Sequence, residues 1–202
     1  GTVTGVQTCA LPISPPAPGR RVDTRDDLDD ALRALGCPAI LKTRRGGYDG
    51  KGQVRLHRHD EADAAWDRLG GVPLVLEGMV DFRRELSVLA VRGRDATTAV
   101  WPLTENTHRD GILHLSVAPA PDLDPRLARA GTELARAVLD ALDHVGVLCI
   151  ELFETDAGLV ANEFAPRVHN SGHWTIEGAQ TSQFENHVRA VLGLPQIGRA
   201  HV

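Results

Sequence analysis

Lysine is almost missing from this chain. Of its 22 basic residues 20 are arginine, and the two lysines, Lys42 and Lys51, flank one glycine-rich segment. A position that keeps lysine against such a bias points to a need for a compact ammonium rather than a planar guanidinium. Long apolar runs are missing too. Nothing approaches the roughly 20 residues of a membrane span, and the N-terminal stretch lacks the charged flank and apolar core of a secretory signal. No membrane association is therefore expected, and the default location is cytoplasmic. An excess of positive charge is also absent: a formal charge of −5 and an isoelectric point near 6.0 argue against a nucleic-acid partner, because duplex binding needs a basic patch to displace counterions. The three cysteines, Cys9, Cys37 and Cys149, have neither metal-like nor redox-like spacing, which excludes a disulfide framework or zinc site. Cys37 and Cys149 are expected as small buried residues. Any phosphate this chain handles belongs to a small molecule.

What is present is enough apolar residue, 42% of the chain, to bury a core in one domain or two small lobes. Both ends stand apart from the rest. Residues 3–13, VTGVQTCALPI, read like the translation of a sequencing adapter, and residues 197–202, IGRAHV, like the same adapter on its opposite strand. Such segments are set aside in fold reasoning. The expected organisation is an adapter-like, disordered leader over 1–21, a small lobe over 22–80, a larger lobe over 81–195 and an adapter-like tail over 196–202. The gene is expected to continue beyond both ends.

Leu28, Leu32 and Leu35 recur at helical spacing behind an acidic first turn, and Gly36 and Pro38 close that helix. Ala39–Lys42 and Gln53–Leu56 read as strands joined by a glycine-rich tip over 43–52, followed by a helix Glu61–Leu69 and a strand Leu74–Glu77. From Glu85 the pattern changes to long apolar strands, Leu86–Val91 and Thr97–Trp101, an irregular stretch Thr104–Gly111, and a strand Leu113–Val117. A helix Pro125–His144 with Leu127, Ala130, Leu134, Val138, Ala141 and Val145 on one face is suited to lie on a sheet. Val147–Phe153 and Leu159–Phe164 form a hairpin, and Gln183–Leu192 a closing helix. His57, His59, His144 and His187 read as surface or helix-end residues.

Three groups of residues carry chemistry. Gly46, Gly47, Gly50 and Gly52 let backbone amides approach an anion, with Lys42 and Lys51 as point charges for phosphate oxygens and Tyr48 and Asp49 free at the tip to reach a substrate. The same pattern also describes a flexible hairpin tip, and it is not a P-loop, since it joins two strands. Second, a three-residue loop centred on Ala157 sets Glu151 opposite Glu163. Opposed carboxylates repel, and a hard cation such as Mg²⁺ between them is the natural resolution; another register would separate them. Asn162 then points to the other face or adjusts at the strand end. Third, the aperiodic polar stretch after Glu163 holds Arg167, suited to grip an oxyanion bidentately, and His169, which titrates near neutrality as base or donor. Glu77 and Glu85 could take ribose hydroxyls or an adenine amine, or simply be solvated strand ends.

Taken together, residues 38–53 (PAILKTRRGGYDGKGQ), 77–80 (EGMV), 84–88 (RELSV), 102–113 (PLTENTHRDGIL) and 162–175 (NEFAPRVHNSGHWT) resemble the carboxyaminoimidazole ribonucleotide synthase family of the ATP-grasp superfamily. Formate-dependent glycinamide ribonucleotide ligase and biotin carboxylase carry different strings after the second metal glutamate. The resemblance spans residues 22–195 and implies an α/β (α+β) ATP-grasp fold, two α+β lobes with the nucleotide site between them. It implies ATP and Mg²⁺ as cofactors, and aminoimidazole ribonucleotide and bicarbonate as small-molecule partners. Homodimerisation of the intact enzyme is left open. The implied reaction is ATP-dependent carboxylation of the ribonucleotide amine through carboxyphosphate, in purine biosynthesis. By the same resemblance Lys42, Gly46, Gly47, Tyr48, Asp49, Gly50, Lys51 and Gly52 meet the ATP phosphates; Glu77, Gly78, Met79, Val80, Glu85 and His108 line the nucleotide pocket; and Asn162 and Glu163 close it. Glu151 and Glu163 hold the metal. Tyr48 and Asp49 touch the ribonucleotide, Arg167 holds the carbonate-derived anion, and His169, Asn170 and Ser171 complete the pocket. Two departures follow: an N-terminal α/β domain and a small C-terminal domain of the family are not in this sequence, so this chain alone is expected to be inactive, and Ala165 stands where many ATP-grasp enzymes have a third metal ligand. The alternatives are a nucleotide-binding module without turnover, or an ATP-grasp ligase for another carboxylate such as formate.

Overall fold

The computed structural model describes residues 18–45, 52–109 and 111–196, in two compact units, one ending at Asp81 and the other beginning at Phe82. The first opens with strand β1 (Gly19–Val22) and helix α1 (Arg25–Leu35). Helix α1 starts at a capping box, in which Asp27 N donates to Thr24 Oγ1 (3.2 Å) and Thr24 N to the Asp27 carboxylate (2.8 Å), satisfying amides a helix start leaves unpaired. Gly36, at φ +77°, closes it. Strands β2 (Ala39–Thr43) and β3 (Gln53–Leu56) form a hairpin, followed by a 3-10 turn at His59–Glu61, helix α2 (Ala62–Leu69) and β4 (Leu74–Gly78). The antiparallel sheet has the order β1-β4-β2-β3. Period-two alternation turns Leu41, Leu74 and Leu76 toward Leu28 and Leu32 of α1, and these residues are fully buried.

The boundary expected at 21 is corrected by β1. Gly19–Val22 pairs with Leu74–Glu77 along β4, so the last residues of the supposed leader belong to the sheet. Val22 is buried while Arg20 and Arg21 are exposed; one apolar residue gives no detectable period, and the edge of β4 recruits the strand. At the other end Gln196 accepts a hydrogen bond from Thr97 Oγ1 at 2.8 Å, so it too belongs to the fold rather than to the tail.

The second unit is built on β5 (Arg84–Arg92), β6 (Thr98–Val100), β7 (Thr104–Arg109), β8 (Ile112–Val117), helix α3 (Pro125–Ala141), β9 (Gly146–Thr155), β10 (Gly158–Ala165), a 3-10 turn at Asn170–Gly172, the short helix α4 (Thr175–Gly178) and α5 (Gln183–Leu192). The sheet runs β10-β9-β5-β7-β8, with β6 also on β5, and every pairing is antiparallel. Helix α3 lies against β5, β9 and β10, burying Leu134, Ala135, Val138 and Leu139. It stops at Ala141, short of the expected His144, because Asp143 takes φ +45° and turns the chain toward β9. The opposite sheet face buries Leu89, Val91, Val147 and Cys149 together with Trp101, Ala179 and Ala190 of α5. The stretch expected to be irregular is strand β7. Its inward positions are Thr104 and Asn106, both buried, so no apolar alternation marks it. Among the described residues no helix is long and apolar enough to cross a membrane.

Candidate functional site

In the first unit, β2 and β4 carry two of the expected nucleotide residues on the sheet face opposite Leu41. Ile40 pairs with Glu77 and Lys42 with Val75, which places Lys42 and Glu77 diagonally on one face. Lys42 Nζ lies 2.7 Å from Glu77 Oε2, with both side chains only 11% exposed. The two form an ion pair held largely away from water. Gly78 N donates to Pro18 O (2.8 Å) and Met79 N to Pro38 O (3.3 Å), while the Met79 side chain is exposed. Val80 follows, half-buried. Gly52, at φ +77°, closes the hairpin, its carbonyl accepting from Thr43 N at 2.8 Å. Gly46, Gly47, Tyr48, Asp49, Gly50 and Lys51 lie outside the described residues.

In the second unit, the β9–β10 hairpin brings Glu151 and Glu163 face to face, by a different route from the one expected. Gly158 pairs with Thr155, so the connection is the two-residue turn Asp156 and Ala157, not a three-residue loop centred on Ala157. That register, continued, would set Asn162 opposite Glu151. Instead a β-bulge between Ala161 and Glu163 makes Asn162 the extra residue and restores the Glu163–Glu151 pairing. A bulge re-aims side chains in this way and is common beside active sites. Ser87 of β5 pairs with Glu151 from the other side.

The loop after β10 folds back onto this pair. His169 Nε2 lies 3.2 Å from Glu151 Oε1. Burial by itself lowers the His169 pKa, but the Cys149 sulfur and the Glu151 carboxylate outweigh it and push it up to about 10. The imidazole Nε2 faces the Glu151 carboxylate, and its Nδ1 lies 2.9 Å from Ser171 Oγ. Ser171 N donates to Nδ1 at 3.3 Å, capping the 3-10 turn. Ser171 Oγ in turn lies 3.6 Å from Cys149 Sγ. Ser171 is fully buried and faces His169. Asn170 and Arg167 are exposed, and Arg167 Nη1 donates to Val168 O at 2.9 Å.

On the same sheet face Glu85 and His108 are in contact. The hydrogen bond His108 makes to the Glu85 carboxylate raises the His108 pKa above its ordinary value, against the opposing effect of burial. Next to them Asn106 Nδ2 donates to Ser87 Oγ (3.0 Å) and Ser116 Oγ to Asn106 Oδ1 (2.8 Å). This polar row was not singled out in the sequence; the signal for it was polar residues at alternate positions, Glu85 and Ser87, Thr104 and Asn106. Gln183 was missed as well. It was read only as the first residue of a helix, yet it is fully buried and bonded to the backbone of His169. His187 also departs from the expected surface setting: its Nδ1 accepts from Val147 N at 3.1 Å.

The arrangement offers opposed carboxylates, an imidazole and a polar sheet face, a set suited to a hard cation. Comparison with known proteins agrees with that chemistry. The chain is 57% identical over 181 residues to N5-carboxyaminoimidazole ribonucleotide synthase of Pseudomonas aeruginosa, a match covering 90% of this chain and 49% of the relative. It superposes on the crystal structure of N5-carboxyaminoimidazole ribonucleotide synthetase from Thermus thermophilus with a TM-score of 0.85 at 52% identity, covering 93% of this chain and 50% of that one. It also superposes on the Aspergillus clavatus synthase solved with ADP and 5-aminoimidazole ribonucleotide, with a TM-score of 0.83 at 33% identity, covering 92% of this chain and 49% of that one. The chain thus spans about half the length of the relatives it matches. The model of the ATP-grasp domain matches residues 12–184, through both sheets and the hairpin that opposes Glu151 to Glu163, and the chain belongs to the ATP-grasp domain family.

Proposed function

We propose that this chain is the nucleotide-handling core of a cytoplasmic ligase that uses ATP and bicarbonate to carboxylate 5-aminoimidazole ribonucleotide, releasing ADP and phosphate. The observation that carries the reading is the bulged hairpin. A chain that inserts a residue and thereby sets two carboxylates opposite each other, with a histidine on one of them, is arranged for a cation. The identity to N5-carboxyaminoimidazole ribonucleotide synthases supplies the substrate class.

The donor set fits Mg²⁺. Among the described residues no cluster of three or more His, Cys, Asp and Glu is arranged to hold a metal ion, but Mg²⁺ is commonly held by one or two carboxylates, with phosphate and water oxygens completing its shell. Glu151 and Glu163 would supply those carboxylates. Bound there, the ion would neutralise charge developing on a transferring phosphoryl group. The rest falls to the chain's own residues. In the first unit Lys42, paired with Glu77, offers an ammonium to phosphate oxygens, and Gly78, Met79 and Val80 offer backbone beside it; Gly46 to Gly52, Tyr48 and Asp49 are assigned to phosphates and ribonucleotide on the resemblance alone. In the second unit Glu85, His108 and Asn162 are assigned to the nucleotide, Arg167 to the carbonate-derived anion, Asn170 and Ser171 to the rest of the pocket, and His169 to holding Glu151 and serving as base or donor.

The test is ADP release from Mg-ATP with bicarbonate, with and without aminoimidazole ribonucleotide. Release that depends on both supports the ligase reading; release driven by formate in place of bicarbonate overturns the substrate assignment. Because the chain spans about half of its relatives, a second reading is kept: Mg-nucleotide binding without turnover, shown by Mg-ADP binding with no release.

A further inference from the structure

We infer that Gln183 is a positioning residue that fixes the His169 imidazole on Glu151 by holding the backbone of residue 169. The inference rests on the reading of Glu151 and His169 as part of an Mg-nucleotide site.

Gln183 is the first residue of α5 and is fully buried. Its side-chain amide meets both main-chain polar groups of a single residue: His169 N donates to Oε1 at 2.9 Å, and Nε2 donates to His169 O at 2.6 Å. Its own backbone N–H donates to Thr175 Oγ1 at 2.9 Å, and that hydroxyl donates to Gly172 O at 2.6 Å. Residues 169, 172 and 175 are therefore tied to one buried point. The close approach leaves no room at Gly172, where a Cβ would lie 2.6 Å from Gln183 Oε1. With the backbone of 169 fixed, only two side-chain torsions remain, and the bonds to Ser171 and Glu151 set them.

The amide matters as well as its shape. Leucine would leave the His169 N–H and C=O buried and unpaired, which is costly. Glutamate could accept from His169 N but, when ionised, would set an oxygen against His169 O. A glutamine serving packing alone could satisfy its amide on any neighbouring backbone. Here both bonds fall on the residue whose ring touches the proposed metal carboxylate, the usual place of a group that orients a ligand from behind.

The experiment uses the full chain with Gln183→Glu and Gln183→Asn, the second keeping the amide on a stem too short to reach both His169 groups. Three quantities are measured: unfolding temperature, the ¹H–¹⁵N NMR signals of the His169 ring, and Mg-ADP affinity by calorimetry at neutral and acidic pH. Both variants should fold, with displaced ring signals and about tenfold weaker Mg-ADP binding at neutral pH. For Gln183→Glu the deficit relative to wild type should narrow on acidification, because a protonated carboxyl again presents one donor and one acceptor; Gln183→Asn should show no narrowing. A lowered unfolding temperature with ring signals and affinity unchanged would reduce Gln183 to a packing role and overturn the proposal. If wild type itself fails to bind Mg-ADP, the functional reading falls, and the ring signals of the folded variants alone decide whether Gln183 positions His169.

Discussion

Opposed glutamates on neighbouring strands repel each other, and each such pair costs a fraction of a kcal/mol or more. Glu151 and Glu163 occupy that arrangement through a bulge that brings Glu163 to Glu151 where Asn162 would otherwise stand. If a cation is the reason, Glu163→Gln should separate stability from binding. Without Mg²⁺ the variant should be more stable by about 0.5 kcal/mol, read as a higher denaturation midpoint. Its Mg-ADP affinity should fall at least tenfold. A variant that binds Mg-ADP as wild type does would remove the metal assignment. The pair was legible in the sequence because the carboxylates are twelve positions apart around a recognisable turn, and the wrong loop length was offset by the unforeseen bulge. Ser171 and Gln183 were not legible in the same way. A small hydroxyl and a neutral amide give no period or charge signal, and only their burial against His169 shows what they do.

The start of β9 shows how an element can be fixed by residues far away in sequence. Gly146 takes φ +122°, and a Cβ there would lie 2.7 Å from the His187 ring. His187 Nδ1 accepts from Val147 N, while His144 Nε2 donates to Val147 O at 3.0 Å. Gly146→Ala combines a forbidden backbone angle with overpacking and should destabilise by about 2 kcal/mol, measured by chemical denaturation. The same contacts set a pH dependence. Burial, and secondarily the neighbouring His144, lower the His187 pKa below its ordinary 6.5. The unfolded chain therefore binds a proton more readily than the folded one. Stability from this group is complete above pH 6.5 and is lost as pH falls through the lowered folded value. His187→Gln should flatten that part of the stability curve; an unchanged acid slope would assign the loss to other groups. Helices α1, α3 and α5 and the apolar strands could be read from periodicity alone. Strands β1 and β7 could not, because one is a single buried valine beside exposed arginines and the other turns threonine and asparagine inward.

At the scale of the molecule, the two sheets are closed by separate sets of side chains. Among the described residues the first core draws on residues from Val22 to Leu76 and the second on residues from Leu89 to Ala190, with no residue in common. Each of the two sheets is built from strands of one unit alone, so the ladder bonds among the described residues close within that unit. Leu41, fully buried between β2 and α1, is the direct probe of this division. Leu41→Ala removes three heavy atoms from a packed site and should cost about 3 kcal/mol. If each unit is a cooperative entity, native-state hydrogen exchange should lose protection over the described residues up to 81 while residues 82–196 keep theirs. Leu148→Ala, in β9, should do the reverse. Equal loss throughout the chain in either variant would mean that the two units unfold as one, and that the division of the cores carries no division of stability. The paired outcome would place the Lys42–Glu77 contact and the Glu151–His169 contact on separately stable frames. Substitutions in the two groups should then affect stability additively.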